Sequence, residues 1–203
     1  MADLTAKDIQ KLRQDAGVGM MDAKKALTDA GGDLEAAYEL LRERGQAKMA
    51  KRADREANEG TIGSYIHMQN DRPVLGVLVE VSCETDFVAK SDEFGDIAND
   101  IAMHVSWSNP RWVTRDEVDS DALAKESELI ARQAEAEGKP EQVIERIVEG
   151  KIESWYSDNV LYDQTFVNAE KFEGTVSDMV AALASKMGEN ISVRRVARLA
   201  IGE

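Results

Sequence analysis

The chain has 203 residues and a formal net charge of −14, with 32% charged and 43% hydrophobic residues: an ordinary globular balance, with room for one substantial core or a small module beside a larger one. No apolar run is long enough to cross a bilayer, the start "MADLTAKDIQ" lacks the basic-then-apolar order of a secretory leader, and so acidic a surface repels phosphate backbones, so neither a membrane nor direct nucleic-acid binding is expected. A single cysteine, Cys83, excludes an internal disulfide and fits a reducing cytoplasm. The basic residues between Arg42 and Arg55 are interrupted by Glu43 and Asp54 and read as a solvated helix face.

Residues 1–45 read as three short helices forming a docking bundle. Thr5 caps the first, with Asp8 as the capping-box acid and Leu4 and Ile9 at staple positions. Ile9, Leu12 and Ala16 form its apolar stripe, and Gly17 and Gly19 stop it. The second helix carries Ala23, Ala26, Leu27 and Ala30. The third is capped by Asp33, buries Leu34, Ala37, Tyr38 and Leu41, and is expected to stop at Gly45. So small a body has a thin core and no room for a deep pocket. Residues 46–59 lack an apolar stripe and read as an exposed helical linker.

The core is expected over 60–203. "TIGSYIHM" alternates, "QNDRP" turns, and "VLGVLVEVSC" follows, so strands at about 61–68 and 74–84 form a hairpin. Leu75, Val77, Val79, Val81 and Cys83 share one face, which must be buried. A helix over 91–106 shows Phe94, Ile97, Ala98, Ile101, Ala102 and Val105 at helical spacing. Around "EGKP" a helical hairpin spans about 121–156. Its first helix is weakly apolar, and its second is expected to bury Val143, Ile144, Ile147, Val148, Ile152 and Trp155. "TVSD" caps one more helix, running through Met187. A third strand at 190–201 is expected to turn Ile191, Val193, Ala197, Leu199 and Ile201 inward, with Arg195 breaking the pattern. The fold class is therefore α+β: a three-helix bundle, then a small three-stranded antiparallel sheet packed with helices and a helical hairpin.

The chain carries no Gly-rich phosphate loop, no metal-ligand spacing and no Ser-centred elbow, so no catalytic residue, metal or cofactor is expected. A thiol enzyme would need Cys83 with His67 or His104. Cys83 lies on the inward face of its strand, where an inert buried thiol is the norm. His67 reads as a strand-face residue, and His104 as a helix-surface or satisfied core residue. Met20 and Met21 open the second helix. One could cap the bundle core; adjacent helix positions diverge by about 100°, so both cannot point inward, and an exposed one could be a contact for an apolar groove on another protein. In "CETDFVAKSDEF", Phe87 stands on the corner between strand and helix. It could plug the gap between them or serve another molecule, and Thr85 or Asp86 would cap the turn.

"LRQDAGVGMMDAKKAL", "GDLEAAYELLRERG", "CETDFVAKSDEF", "IAMHV" and "MGENISVRRV" occur here in the order and spacing of bacterial elongation factor Ts, and the chain resembles that family over nearly its whole length. The resemblance implies a nucleotide-exchange factor, not an enzyme, for the translational GTPase elongation factor Tu; the alternative is a protein-binding adaptor whose bundle recognises another partner and which exchanges no nucleotide. It implies a ubiquitin-associated-like bundle that docks on the GTPase's nucleotide-binding domain through Arg13, Met20 and Met21. Thr85, Asp86, Phe87 and Val88 would wedge near the GTPase's Mg²⁺ and dislodge it, and the core would touch another domain near His104. Long members of the family carry two core repeats and a further module; this chain carries one core. A three-stranded sheet with a bare face or edge is a self-association surface, so a homodimer, and a 2:2 complex with Tu, is expected.

Overall fold

The structure, a computed structural model, describes residues 5–16 and 18–203. Three helices come first: α1 (Ala6–Asp15), α2 (Met20–Asp29) and α3 (Leu34–Ala50). The Thr5 hydroxyl accepts from the Asp8 backbone N–H at 3.2 Å and donates to the Asp8 carboxylate at 2.6 Å, fixing the start of α1. Leu4 of the expected staple and Gly17 of the expected stop lie outside the described residues. Leu12, Ala23, Ala26, Leu27, Ala37 and Leu41 form the bundle core, which is small because half of it is alanine.

α3 does not stop at Gly45 but continues to Ala50. The reason is tertiary. A Cβ built on Gly45 would lie 3.9 Å from the Ala181 side chain on α8 (Val176–Met187), so the glycine marks a close helix–helix crossing. The stretch read as an exposed linker is thereby held on the core. Gln46 donates to Asp178 at 2.8 Å, Arg52 donates to the Ala184 carbonyl at 2.9 Å, and Met49 packs against the core cluster.

The sheet has the order β1-β2-β3, all antiparallel: β1 (Glu59–Gln69), β2 (Arg72–Cys83) and β3 (Ser192–Ala200). Asn70 and Asp71, both in the left-handed region, form the two-residue turn that links β1 to β2. The inner face puts Val77, Val79, Val81, Cys83 and Val193 against Phe94, Ala98, Ile101 and Val105 of α5 (Asp92–Ser108), with Val180, Leu183 and Ala184 of α8 completing the cluster. At Gly63 the strand lies on the helix backbone itself. An added Cβ would fall 2.1 Å from the Ala98 carbonyl oxygen, so only glycine fits there.

β3 departs from simple alternation. Glu80 pairs with Arg195 and Val81 with Val193, which leaves Arg194 as the extra residue of a bulge. Beyond it the phase slips by one: Val196, Arg198 and Ala200 take the inner side, while Ala197 and Leu199, expected inside, are outside. Ile201, also expected inside, is exposed beyond the strand end. The slip keeps Arg195 out of the core and beside Glu80, with which it pairs.

The helical hairpin is α6 (Ser120–Ala136) and α7 (Glu141–Asn159). The expected burial is inverted. α6 buries Ile130 and Ala134, whereas α7 buries none of its apolar residues fully and leaves Val143 exposed. Two helices that pack chiefly on each other have no third layer to close over their seam. The base of the hairpin is held by Arg115, which bonds Glu153 and Asp163 and lies 4.3 Å over the Tyr156 ring.

Candidate functional site at the Thr85–Val88 corner

β2 ends at Cys83, and nine residues later, at Asp92, the chain runs as α5. A one-turn helix, α4 (Asp86–Ala89), makes the corner. The Thr85 hydroxyl caps it by accepting from the Val88 N–H at 3.4 Å. Ser91 caps α5 by accepting from the Phe94 N–H and donates its own proton to the Val88 carbonyl at 2.8 Å. Two caps in series therefore fix the corner from both ends. Val88 points into the core at 5% exposure, and Phe87 points out at 84%. The reading of Phe87 as a plug between sheet and helix is excluded by that exposure. Asp86 bonds Lys90 at 2.6 Å across one helical turn, and this bond holds its carboxyl below the usual carboxylate range.

The corner is tied to a distant part of the chain. Glu189, just beyond α8, accepts from the backbone N–H groups of Glu84 (2.9 Å) and Thr85 (3.1 Å) and from the Thr85 hydroxyl (2.6 Å). Glu84 in turn accepts from the Asn190 N–H at 2.6 Å and from Arg55 at 3.2 Å, and these bonds lower its pKa. The sequence reading missed both acids. They lie 105 residues apart, and nothing in local spacing signals the pairing. The one cue was the side-by-side polar "GEN" that separates a helix from a strand.

The second candidate surface is the end of the bundle where α1 passes into α2. Arg13 is exposed in the last turn of α1. Met20 and Met21 follow the Gly19 cap, and both face solvent, at 48% and 74% exposure. The option that one of them covers the bundle core therefore fails. A cleft of about 1020 Å³ lies elsewhere, at the junction of bundle and core beside Tyr38, Arg42, Phe172 and Asp178.

His104 is not on a surface. It is 1% exposed, stacked on Phe166 with ring centres 5.6 Å apart. Its Nδ1 accepts from the Val167 N–H at 3.2 Å, so the proton sits on Nε2, which donates to the Gln164 side-chain oxygen at 2.9 Å. Burial pushes its pKa down. The ring is a satisfied core histidine, bonded to residues 164 and 167 of the following segment. Cys83 is also fully buried, and burial, aided by the Glu189 charge, pushes its thiol up to about 11; a reactive thiol needs the reverse. His67 is exposed on β1 beside Tyr65, not beside Cys83. Among the described residues no group of three or more His, Cys, Asp or Glu is placed to hold a metal ion, and no helix is long and apolar enough to cross a membrane.

The body is α+β, with an exposed aromatic on a corner capped at both ends and two exposed methionines at the tip of a helical bundle. The family model for elongation factor Ts matches residues 6–173. The elongation factor Ts of Fervidobacterium nodosum is 48% identical over 201 residues, covering 99% of this chain and all of that protein. Those of Thermosipho melanesiensis (48%, 98% of this chain, all of that protein) and Anaeromyxobacter dehalogenans (47%, all of this chain, 90% of that protein) align over similar lengths. The chain belongs to the elongation factor Ts family, and with it to the elongation factors of translation.

Proposed function

We propose that the chain is a guanine-nucleotide exchange factor for elongation factor Tu: it binds the GDP-bound GTPase, displaces Mg²⁺ and lets GDP leave so that GTP can follow. The observation that carries this reading is the exposure of Phe87 on a corner capped at both ends. A bare aromatic ring on a rigid turn costs solubility unless a partner buries it. Thr85 and Val88 hold the turn, Asp86 flanks the ring, and Arg13, Met20 and Met21 dock the bundle on the nucleotide-binding domain. The segment held by His104 lies beside the surface offered to a further domain of the GTPase.

The energetics are those of linkage. A factor that binds the nucleotide-free GTPase more tightly than the GDP form must weaken GDP by the same ratio. A thousandfold weakening corresponds to about 4 kcal/mol, whereas burying one phenylalanine contributes about 1.5–3 kcal/mol. The wedge alone falls short. Loss of Mg²⁺, which leaves diphosphate charge uncompensated, adds to it. No covalent bond changes, so the activity is exchange by differential binding and not enzymatic turnover. Release of a fluorescent GDP analogue from Tu, with and without the chain, tests the reading; an unchanged release rate refutes it.

The same reading takes the protein as a homodimer. The outer sheet face carries Ile62, Ile66, Leu78 and Leu199, all exposed, and no element among the described residues covers it. The Ile66–Gly76–Leu199 and Ser64–Leu78–Ala197 rows form an apolar strip suited to sheet-on-sheet packing. Neither Phe87 nor the paired methionines belong to that face, so each copy keeps its own docking set, which gives a 2:2 complex.

A further inference from the structure

We infer that Glu189 is the positioning residue of the exchange element, setting the direction in which Phe87 is presented; the inference rests on the exchange reading above. Past Cys83 the β2 ladder has ended, so the N–H groups of Glu84 and Thr85 have no strand to pair with. One carboxylate oxygen of Glu189 takes both, and the other takes the Thr85 hydroxyl proton. The second bond matters most. A hydroxyl has one proton and two lone pairs, and sending the proton to Glu189 leaves a lone pair for the Val88 N–H. That bond starts the single turn on which Phe87 rides. A one-turn helix has almost no stability of its own, so its direction follows its cap.

Glu189 is itself held. Gly188, in the left-handed region, turns the chain out of α8. Asn190 then donates its N–H to Glu84 and its amide to the carbonyls of Ala53 (3.3 Å) and Arg55 (2.8 Å), just beyond α3. The ends of β2 and α8 thus exchange carboxylates, Glu189 onto residues 84 and 85 and Glu84 onto residue 190. The same knot receives the chain arriving from the bundle. Docking of the bundle and the aim of Phe87 therefore meet at one polar junction.

The test is GDP release from the GTPase, titrated with factor to separate the maximal rate from the half-saturating concentration. Glu189→Ala is expected to lower the maximal rate about tenfold, the loss of charge-assisted bonds to the turn, with little change in half-saturation because the bundle still docks. In a Phe87→Ala background the same substitution is expected to add nothing, since Glu189 acts through that ring. A merely structural role would instead lower the melting temperature and act alike in both backgrounds. Should Glu189→Ala melt below the assay temperature, Glu189→Gln, which keeps one oxygen for the two backbone N–H groups, carries the same test with a smaller loss. A wild-type chain that releases no GDP overturns the exchange reading and this inference with it. A wild type that releases GDP beside a folded Glu189→Ala of normal maximal rate, or additive losses in the double variant, overturns this inference alone.

Discussion

Phe87 and Val88 are consecutive residues of one four-residue helix, and they face opposite solvents: Val88 closes the core beneath the corner, while Phe87 stands in water above it. The contrast separates folding from function at this site. Phe87→Ala is expected to leave the melting temperature unchanged and to slow GDP release from Tu about tenfold to a hundredfold, the worth of one phenylalanine's burial. A fluorescent-GDP release assay beside a thermal melt checks both halves. A folded variant with normal release removes the wedge from the mechanism.

Val88→Ala should do the reverse at first order. It removes two methyl groups from a closed core site, so the melting temperature should fall by the equivalent of about 1–3 kcal/mol. Release at temperatures where the variant is folded should fall less than in Phe87→Ala. Circular dichroism melts and the same release assay compare the two.

Truncation distinguishes the bundle from the core. Cutting after residue 45 divides α3 at its crossing with α8, because the helix continues to Ala50 and holds Asp178 through Gln46. Deleting residues 1–45 is therefore expected to weaken binding to Tu and also to lower the melting temperature of the remaining core. An unchanged core melting temperature would show that the crossing contributes nothing.

The histidine in the core sets a pH dependence. His104 has its pKa pushed below the ordinary 6.5 by burial, so the folded protein keeps it neutral while the unfolded chain accepts a proton. Its stabilising contribution is complete above about 6.5 and is lost as pH falls below it, with a slope of up to about 1.4 kcal/mol per unit. Denaturant unfolding at pH 7.5 and 5.5 should show a larger drop for the wild type than for His104→Gln. Equal drops would contradict the buried neutral ring.

On the bare face, Leu78→Glu places a charge in the middle of the apolar strip while its backbone pairing is untouched. Light scattering on a gel-filtration column should report twice the chain mass for the wild type and the single chain mass for the variant, with helix content retained. A variant that stays at the double mass would move the interface elsewhere.

Much of this was legible in the residues because local rules governed it. Thr5, Asp33 and Thr175 each cap a helix by their own side chain, and the strand alternation from Val77 to Val81 matches its burial. What escaped was decided by distant partners. Gly45 reads as a stop until Ala181 lies against it, and Ala197 and Leu199 read as core until Arg194 drops out of register. At the corner, local spacing singled out Phe87 but left its direction open; the family motif favoured a partner, and the burial of Val88 and the grip of Glu189 set which way the ring points.

The unpaired residue at the β3 bulge has a consequence for how the chain can vary in length. Arg194 and Arg195 are identical, so losing either one yields the same sequence, a strand of unbroken alternation in which each remaining partner is kept. One codon can vanish at that spot and Leu199 will still look outward; loss of Ala197 would shift the register beyond it and set the arginine and leucine of "RL" on each other's sides.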